Sequence, residues 1–473
     1  MRLLGKTVCI WLWAVLAVTQ WMSAQSAEKD NLTQAEPQSR SNRHHSPAGT
    51  PAGETGQSVE SIAQKGEERL RLEDLEQMAL EANPTLAQAA ANVRAAAGRK
   101  LQAGLYPNPT IGVTGDENTP GPIIRGGEFG GFIEQRIVTA GKLGRSRRIF
   151  EREEQEAGVM RDAQKLRVLN AVRVLYYEAL GAQERVEVQT NLSALADRAS
   201  KVSRELANVG AADQPDVLEA EVEAQRAEIG LSMARTDQQR SWRELAAMVG
   251  KASLEIVPLD GDLKALPKLQ LEAVLAKLFS ESPEIHTSEA AITREEAALA
   301  RAKVEKIPDI VARGGLRYNR ELLERGGQPV GLEGFFDVGV EIPIFNRNQG
   351  NVAAAHANLE RTRREADRLK LSLRIRMARA FKIYQDSLNI AEKYGSQMIP
   401  RAQTAYELYL KSFRQMAAAY PQVLVAQRSL FQLQEDYITA LVKGWRSAIE
   451  IQGLLLSGGL EIPNAMGMEG TGE

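Results

Sequence analysis

Residues 309–318 read Asp-Ile-Val-Ala-Arg-Gly-Gly-Leu-Arg-Tyr, and residues 335–342 read Phe-Phe-Asp-Val-Gly-Val-Glu-Ile. In both stretches apolar side chains alternate with charged residues and glycines, which is the period of a β-strand that has two unlike faces. Each run has about ten residues, the length of a tilted strand that crosses a bilayer. A weaker copy of the pattern lies upstream, and we predict two strand hairpins, at residues 109–138 and 309–343.

Four charged residues fall on the polar face of this pattern and are candidates to line a barrel lumen: Arg313, Arg317, Asp337 and Glu341. They either tune ion passage or form cross-strand charge pairs in a wet interior, and the pairs are the favoured interpretation. The alternation also fits a soluble two-sheet domain. A membrane barrel is favoured because soluble strands rarely lie between helices as long as those predicted here.

The chain beyond residue 70 contains the same unit twice. A shift of 199 positions places Pro84 on Pro283, and a shift of 206 positions places Pro215 on Pro421. The change between the two shifts falls within the hairpins, where a loop absorbs a difference in length. We therefore predict a tandem duplication, with repeats at residues 69–250 and 269–457 and a linker at residues 251–268.

Each repeat contains a polar helix of about 65 residues, which spans about 100 Å at 1.5 Å per residue. Its apolar residues follow a 3,4 spacing that predicts left-handed supercoiling against neighbouring helices. The chain then turns and returns as a second helix. We call these turns the first tip (residues 208–216) and the second tip (residues 415–422). Their candidate contact residues are Gly210, Ala211, Ala212, Asp213, Gln214, Pro215, Asp216, Met416, Tyr420, Pro421 and Gln422.

The chain begins with the features of a secretory signal at residues 1–27, where Arg2 and Lys6 precede an apolar run and small residues. A membrane anchor is the alternative, but the run is shorter than the ~20 residues of a spanning helix. The sole cysteine, Cys9, lies inside this signal without a lipidation pattern, so we expect neither lipidation nor disulfides. Residues 28–68 and 458–473 are predicted to be a flexible leader and tail.

The composition argues against several functional classes. The net charge of −2 is too mild to suggest a nucleic-acid partner, and the aromatic content of 5% is typical of long helices. No nucleotide loop or catalytic set is evident. Beyond the leader there are two histidines, His286 and His356, and no metal-ligand spacing is present. We expect no cofactor, no metal site and no enzymatic activity.

Four membrane strands in one chain cannot stand alone, because unpaired strand edges are not tolerated in hydrocarbon. Two chains would form an eight-stranded barrel filled by side chains, whereas three would form a twelve-stranded barrel with a lumen. The long helices would continue this tube outside the membrane. The sequence thus predicts a mostly α protein with membrane β-strands that assembles as a homotrimer in outer-membrane lipid.

Several short motifs follow one another in order and at duplicated spacing. They are Asn83–Leu86, Tyr106–Pro109, Gln135–Ile137 followed by Gly141–Gly144, Gly210 with Pro215–Ala220, and Glu341–Gly350. Together they resemble the TolC family of outer membrane factors over nearly the whole chain beyond residue 70. The motif Glu341–Gly350 is the most specific and is similar to the heavy-metal cation-efflux branch of that family.

The resemblance implies a trimer with a twelve-stranded barrel and a helical barrel in the periplasm of a Gram-negative bacterium. It also implies a periplasmic adaptor (membrane fusion) protein and an inner-membrane pump of the RND type. The two tips would contact the adaptor and form an iris. The second tip has Gln422 and Val425 where some relatives have acids, which leaves Asp213 and Asp216 as candidate gating acids, with helix capping as the alternative role.

Three functions remain compatible with the sequence. A passive exit duct for heavy-metal cations comes first. A duct for drugs, dyes or secreted proteins shares every physical feature described above. A periplasmic coiled-coil adaptor or scaffold belongs to another class, and it would not need alternating strands of membrane-spanning length.

Overall fold

The structure is a computed structural model that describes residues 69–116, 127–210, 213–322, 328–415, 417 and 419–461. The predicted signal, the predicted leader and residues 462–473 of the predicted tail lie outside the described residues. So do three of the candidate tip residues, Ala211, Ala212 and Met416.

The protein is mostly helical and has one four-stranded sheet. Its elements in chain order are α1 (Leu72–Ala82), α2 (Pro84–Ala103), β1 (Thr110–Asp116), β2 (Glu128–Ile137), α3 (Lys142–Asn208), α4 (Gln214–Val249), α5 (Leu271–Glu281), α6 (Pro283–Val304), β3 (Ile310–Leu322), β4 (Pro329–Val340), α7 (Gln349–Lys393), a π-helical segment (Tyr394–Met398), α8 (Ile399–Arg414) and α9 (Tyr420–Gln452). The same succession of elements therefore occurs twice.

Proline sets the matching helix breaks in the two repeats. Helices α1 and α5 each have 11 residues, and Pro84 and Pro283 begin the helices that follow them. Proline suits the first turn of a helix because its missing N–H would have no helical partner there. Asn83 caps α2, since its side chain accepts a hydrogen bond from the Thr85 backbone N–H.

The long helices of the two repeats differ in one respect that the sequence does not predict. Helix α3 runs without interruption for 67 residues, whereas the corresponding helix of the second repeat is broken by the five-residue π-helical segment between α7 and α8. Pro400 lies in the first turn of α8. Proline lacks the amide hydrogen, and its ring collides with the carbonyl four residues earlier, so the backbone widens just upstream of it.

The linker between the repeats is held by buried aromatic side chains from both of them. The hydroxyl of Tyr176 donates to the carbonyl of Asp260, and that of Tyr384 donates to the carbonyl of Pro267. The indole of Trp445 donates to the carbonyl of Leu263. Three carbonyls of the linker thus accept side-chain hydrogen bonds from the two repeats. Around Tyr176 and Tyr384 lie the two larger apolar clusters of the helical region.

The four strands form a single antiparallel sheet in the order β1-β2-β3-β4. The connection between β2 and β3 contains α3, α4, the linker, α5 and α6, yet the two strands pair along ten residues, from Glu128 opposite Asn319 to Ile137 opposite Ile310. The predicted second hairpin extended to residue 343, but β4 ends at Val340. No helix among the described residues is both long and apolar enough to span a membrane.

Candidate channel surfaces

One face of the sheet is covered with exposed apolar side chains. The register places them in rows, with Ile111 opposite Ile133, Phe129 opposite Tyr318 and Tyr318 opposite Leu332. Val113 is 88% exposed, and nothing within the described part of the chain covers this face. Its exposed members are Ile111, Val113, Phe129, Ile133, Ile137, Leu316, Tyr318, Leu332, Phe336, Val338 and Val340. A continuous apolar band of this kind requires an apolar partner such as lipid.

The opposite face carries charges, and Arg317 is tied into a cross-strand network. Its guanidinium lies 2.6 Å from the carboxylate of Glu128 on β2 and 3.3 Å from that of Glu333 on β4. The side-chain amide of Asn319 donates to Glu128 as well, at 2.9 Å. Arg317 therefore forms ion pairs with both neighbouring strands, and its position in a lumen stays a prediction.

Arg313 is held in a different way. Its guanidinium lies 3.8 Å from the ring centre of Phe132 and 5.8 Å from that of Phe335, which are cation–π distances. Asp337 is directly opposite Arg313 in the register, but no ion pair joins these two described residues. Asp337 thus remains exposed with its charge unpaired within the described residues. Glu341, the fourth predicted lumen residue, lies one position beyond the end of β4.

Glycines make room for these large side chains. A Cβ atom on Gly315 would lie 2.2 Å from the Gly131 carbonyl oxygen and 2.8 Å from the Phe335 ring. A Cβ atom on Gly112 would lie 2.5 Å from the ring of Phe132. Gly112 and Gly315 are therefore required for close approach of the rings and the backbone.

The sheet has two open edges. β1 pairs only with β2, and β4 pairs only with β3, so each of these strands presents one row of backbone groups without a strand partner in the described structure. Such edges invite pairing with another chain. In an antiparallel sheet of this order, β1 and β4 run in opposite directions, so β4 of one copy can pair with β1 of the next without changing the pattern.

A buried charge cluster joins the repeats where the strands meet the helices. The Asp309 carboxylate accepts hydrogen bonds from the Lys142 ammonium at 2.8 Å, the Arg136 guanidinium at 2.7 Å and the Thr139 backbone at 3.1 Å. Burial alone would raise the pKa of Asp309, but these hydrogen bonds outweigh burial and lower the pKa to about 2.

The first tip is an exposed turn. Gly210 ends α3 in the left-handed region, at φ +74°, which favours glycine. Asp213 occupies the N-cap position of α4, but its side chain makes no cap hydrogen bond, and Asp216 lies in the first turn of α4. Asp213, Gln214 and Pro215 are exposed, so the position of Asp213 is that of a cap while its carboxylate is free to face a partner.

The second tip is packed against the first repeat. Tyr420 is only 2% exposed and packs with Ala220 and Leu424, and burial, its largest influence, raises the pKa of its hydroxyl to about 12. The Arg428 guanidinium forms two hydrogen bonds with the buried Glu223 carboxylate of α4, at 2.5 and 3.1 Å. Of the predicted contact residues at this tip, Pro421 and Gln422 are exposed, whereas Tyr420 is not.

The two-faced sheet and the duplicated helices identify the class of protein when they are considered together with the family match. The outer membrane efflux protein family matches residues 75–251 and 274–455, one stretch in each repeat and together more than half of the chain. The chain belongs to the outer membrane efflux protein family. The predictions of family and of an efflux-channel function are thereby confirmed.

The chain is similar to the cobalt-zinc-cadmium resistance protein CzcC of Cupriavidus metallidurans. The identity is 25% over 386 residues, which cover 82% of this chain and 90% of CzcC. A solved structure of CusC matches with a TM-score of 0.69 and 16% identity, covering 82% of this chain and 92% of that chain. The outer membrane protein VceC from Vibrio cholerae matches with a TM-score of 0.66 and 18% identity, covering 82% and 96%.

At these identities the solved structures show the fold, which is that of outer-membrane efflux channels. For this outer membrane efflux protein, no group of three or more potential metal-ligating His, Cys, Asp or Glu side chains occurs among the described residues. His286 and His356 are both exposed on helices.

Sequence reasoning missed two contacts in this efflux protein, the Asp309 cluster and the pair between Arg428 and Glu223. Both join residues of different repeats, 167 and 205 positions apart, and no local spacing rule relates such positions. The duplication itself was the available signal, because equivalent elements of two repeats tend to pack side by side.

Proposed function

We propose that three copies of this protein close a twelve-stranded barrel in the outer membrane, continued by their helices as a periplasmic tube. The assembly is the passive exit duct of a tripartite efflux system, and the chain carries out no enzymatic step itself. The observation that carries this proposal is the two-faced sheet with open edges on both sides, because only pooled strands satisfy both edges in hydrocarbon. Three chains leave a lumen, whereas two do not.

The charged face of the sheet supports a duct for cations. In the described residues, the acids on this face by register are Asp116, Glu128, Glu134, Glu333 and Asp337, and the arginines are Arg136, which pairs with Asp309, Arg313 and Arg317. Arg317 is neutralised by Glu128 and Glu333, and Arg313 is covered by Phe132. The exposed Asp337 charge therefore faces the lumen, where a ring of three would attract cations.

We propose heavy-metal cations as the cargo, delivered by an inner-membrane pump of the RND type. The support is the relative that bears the name of a cobalt-zinc-cadmium resistance protein, together with this acidic lumen. The duct would not select the metal, since it would meet ions already chosen by the pump. Free passage through a wet lumen requires no dedicated ligand cage.

The tips are the proposed contact with a periplasmic adaptor. Gly210, Asp213, Gln214, Pro215, Pro421 and Gln422 are exposed at the two turns. Asp213 and Asp216 supply negative charge beside the positive end of the α4 dipole, so part of their charge is offset within the chain. An adaptor would contact both turns of each chain at once.

The test is growth of a strain that lacks the gene. We expect selective sensitivity to cobalt, zinc or cadmium salts. The wild-type gene should restore tolerance fully, and an Asp337→Asn variant should restore it only in part. Sensitivity to detergents and dyes with normal metal tolerance would reject the metal cargo and leave a duct for organic compounds. Normal tolerance of every compound, with the protein absent from outer-membrane fractions of the parent strain, would reject the duct.

A further inference from the structure

The segment between β4 and α7 presents apolar side chains to solvent on a rigid turn. Phe345 is 91% exposed, Ile342 is 73% exposed and Ile344 is 61% exposed. We call Ile342–Phe345 the apolar strap. Such exposure on a short connection is unusual, because an aromatic side chain of this size normally finds a partner within its own chain.

The turn that carries the strap is held firmly by hydrogen bonds. The backbone N–H of Arg347 donates to the side chain of Gln349, and that of Asn348 donates to the side chain of Asn346. The side-chain amide of Asn348 donates to the carbonyl of Ala302 at the end of α6, at 2.8 Å. Phe345 is thus held outward by a fixed backbone, and ordering it on binding costs little conformational entropy.

Strand direction determines what lies next to the strap when copies associate. β4 ends at the same side of the sheet at which β1 begins, because the two strands run in opposite directions. When β4 of one copy pairs with β1 of the next, the strap comes beside the residues that precede β1 in the neighbour. Those residues are exposed and apolar as well: Leu101 at 68%, Leu105 at 51% and Tyr106 at 71%.

The helices point to the same neighbour. Contacts within the chain order four helices as α2, α3, α6 and α7, so that α2 and α7 lie at the two ends of the row. Inside the row, the end of α6 meets the start of α3, where the Arg301 guanidinium donates to the Ser146 hydroxyl at 2.9 Å. In the second repeat, α6 corresponds to α2 and α7 corresponds to α3. We therefore expect the end of α2 in one copy to meet the start of α7 in the next.

A cavity at the end of α2 is suited to an aromatic ring. Its volume is about 310 Å³, and Lys100 and Glu154 in its wall pair with each other at 2.9 Å. The full lining is Ala97, Lys100, Leu101, Gly104, Leu105, Arg147 and Glu154. Within the described residues the guanidinium of Arg147 has no ion pair or hydrogen bond, and the side chain is exposed. A phenyl ring in this cavity would cover the leucines and lie against a cation that has no other partner.

We infer that the apolar strap of each subunit docks on the neighbouring subunit, with Phe345 in the cavity at the end of the neighbour's α2. This inference rests on the proposed trimer and specifies its interface. Adjacent repeats therefore meet in two different ways, one within a chain and one between chains. Within a chain the junction is the buried charge cluster around Asp309, and between chains it is an apolar contact.

The first experiment replaces Phe345 by alanine in the full chain and measures dissociation of the detergent-purified assembly. Because Phe345 is exposed in the single chain, the change removes little intrachain packing. We expect dissociation to increase at least about tenfold, as for an aromatic anchor at an interface. Phe336→Ala is the matched control, since Phe336 is exposed on the face assigned to lipid, and it should leave dissociation unchanged.

The second experiment uses cysteine pairs in a Cys9→Ser background, which contains no other cysteine. A short bismaleimide should link Phe345→Cys to Leu105→Cys between chains and give multi-chain species. Phe345→Cys paired with Ile229→Cys, an exposed position on α4, should stay monomeric on a denaturing gel. The trimer could form without a specific cross-link, and Phe345→Ala could dissociate at the wild-type rate. That result would overturn the docking of the strap but not the trimer.

Two further outcomes separate this inference from the proposed function. If the wild-type protein does not form trimers, the proposed duct fails and the strap has no neighbour. If the trimer forms with wild-type stability in Phe345→Ala but binds lipid vesicles less well than wild type, the strap contacts lipid instead, and the inference is overturned while the duct stands.

Discussion

The ammonium group of Lys142 lies 2.8 Å from the carboxylate of Asp309, and the two side chains are 4% and 7% exposed. Lys142 begins α3 in the first repeat, and Asp309 precedes β3 in the second, so this pair joins the repeats at the place where sheet and helices meet. A charge buried at this level is tolerated because its partner and further hydrogen bonds replace water.

Replacing Asp309 by asparagine should leave the buried Lys142 ammonium with only the Glu305 carboxylate, 3.9 Å away, as a counter-charge. Removing one partner of a buried pair typically costs about 3 to 5 kcal/mol, and we expect a loss of stability of this size in urea-induced unfolding. Arg136→Gln is the control, because Arg136 binds the same carboxylate but is 59% exposed, and exposed pairs contribute about 1 kcal/mol or less. Equal effects of the two variants would contradict the importance of burial.

The same group predicts a dependence on acid. The pKa of Asp309 falls from 3.8 to about 2 on folding, so its contribution to stability is fully present above pH 3.8 and is lost as the pH falls through about 2. The wild type should therefore lose its advantage over Asp309→Asn between these values. Unfolding measured at pH 5, 3 and 2 tests this, and a stability difference that stays constant over that range would argue against the lowered pKa.

The pair of Arg428 and Glu223 should restrain the second tip. Arg428→Gln removes the cation that faces the Glu223 carboxylate, which is only 11% exposed, and we expect faster amide hydrogen exchange in α8 and in the first turns of α9. Arg226→Gln is a matched control, since Arg226 lies 3.9 Å from the same carboxylate but is 66% exposed. Unchanged exchange in Arg428→Gln would show that the apolar cluster around Tyr420 restrains the tip alone.

Glycine substitutions should discriminate between crowded and open positions of the sheet. Gly315→Ala places a methyl group 2.2 Å from the Gly131 carbonyl oxygen, so strand pairing must shift and the yield of folded protein should fall severely. A Cβ atom on Gly339 would meet nothing within 4 Å, and Gly339→Ala should fold normally. Heat resistance of the folded form on a gel reports the difference, and normal folding of Gly315→Ala would contradict the described packing of the polar face.

The sequence located most of the helices and strands but not the contacts between them. Alternation of period two located β3 and β4, and Pro84, Pro283, Pro215 and Pro421 marked starts of helices, because these signals act locally on the backbone. The placement of Arg313 over Phe132 instead of beside Asp337 depends on the relative geometry of three strands. No one-dimensional pattern contains that information.

The π-helical segment illustrates the same limit. Tyr394–Met398 lies within a pattern that reads as a continuous helix, and Pro400 alone does not distinguish a kink, a break or a widened turn. Likewise, the sequence placed Tyr420 among the tip residues but did not predict that it would be buried against Ala220. The apolar Val423 and Leu424 beside it were the available signal.

The most direct test of the account is the mass of the assembly released from outer membranes and measured by native mass spectrometry. We predict that the dominant species contains three copies of this chain, which is the smallest number that gives a barrel with a lumen from four strands per chain. A dominant species of one or two chains would contradict the account, because the open edges of β1 and β4 would then need partners other than further copies of this protein.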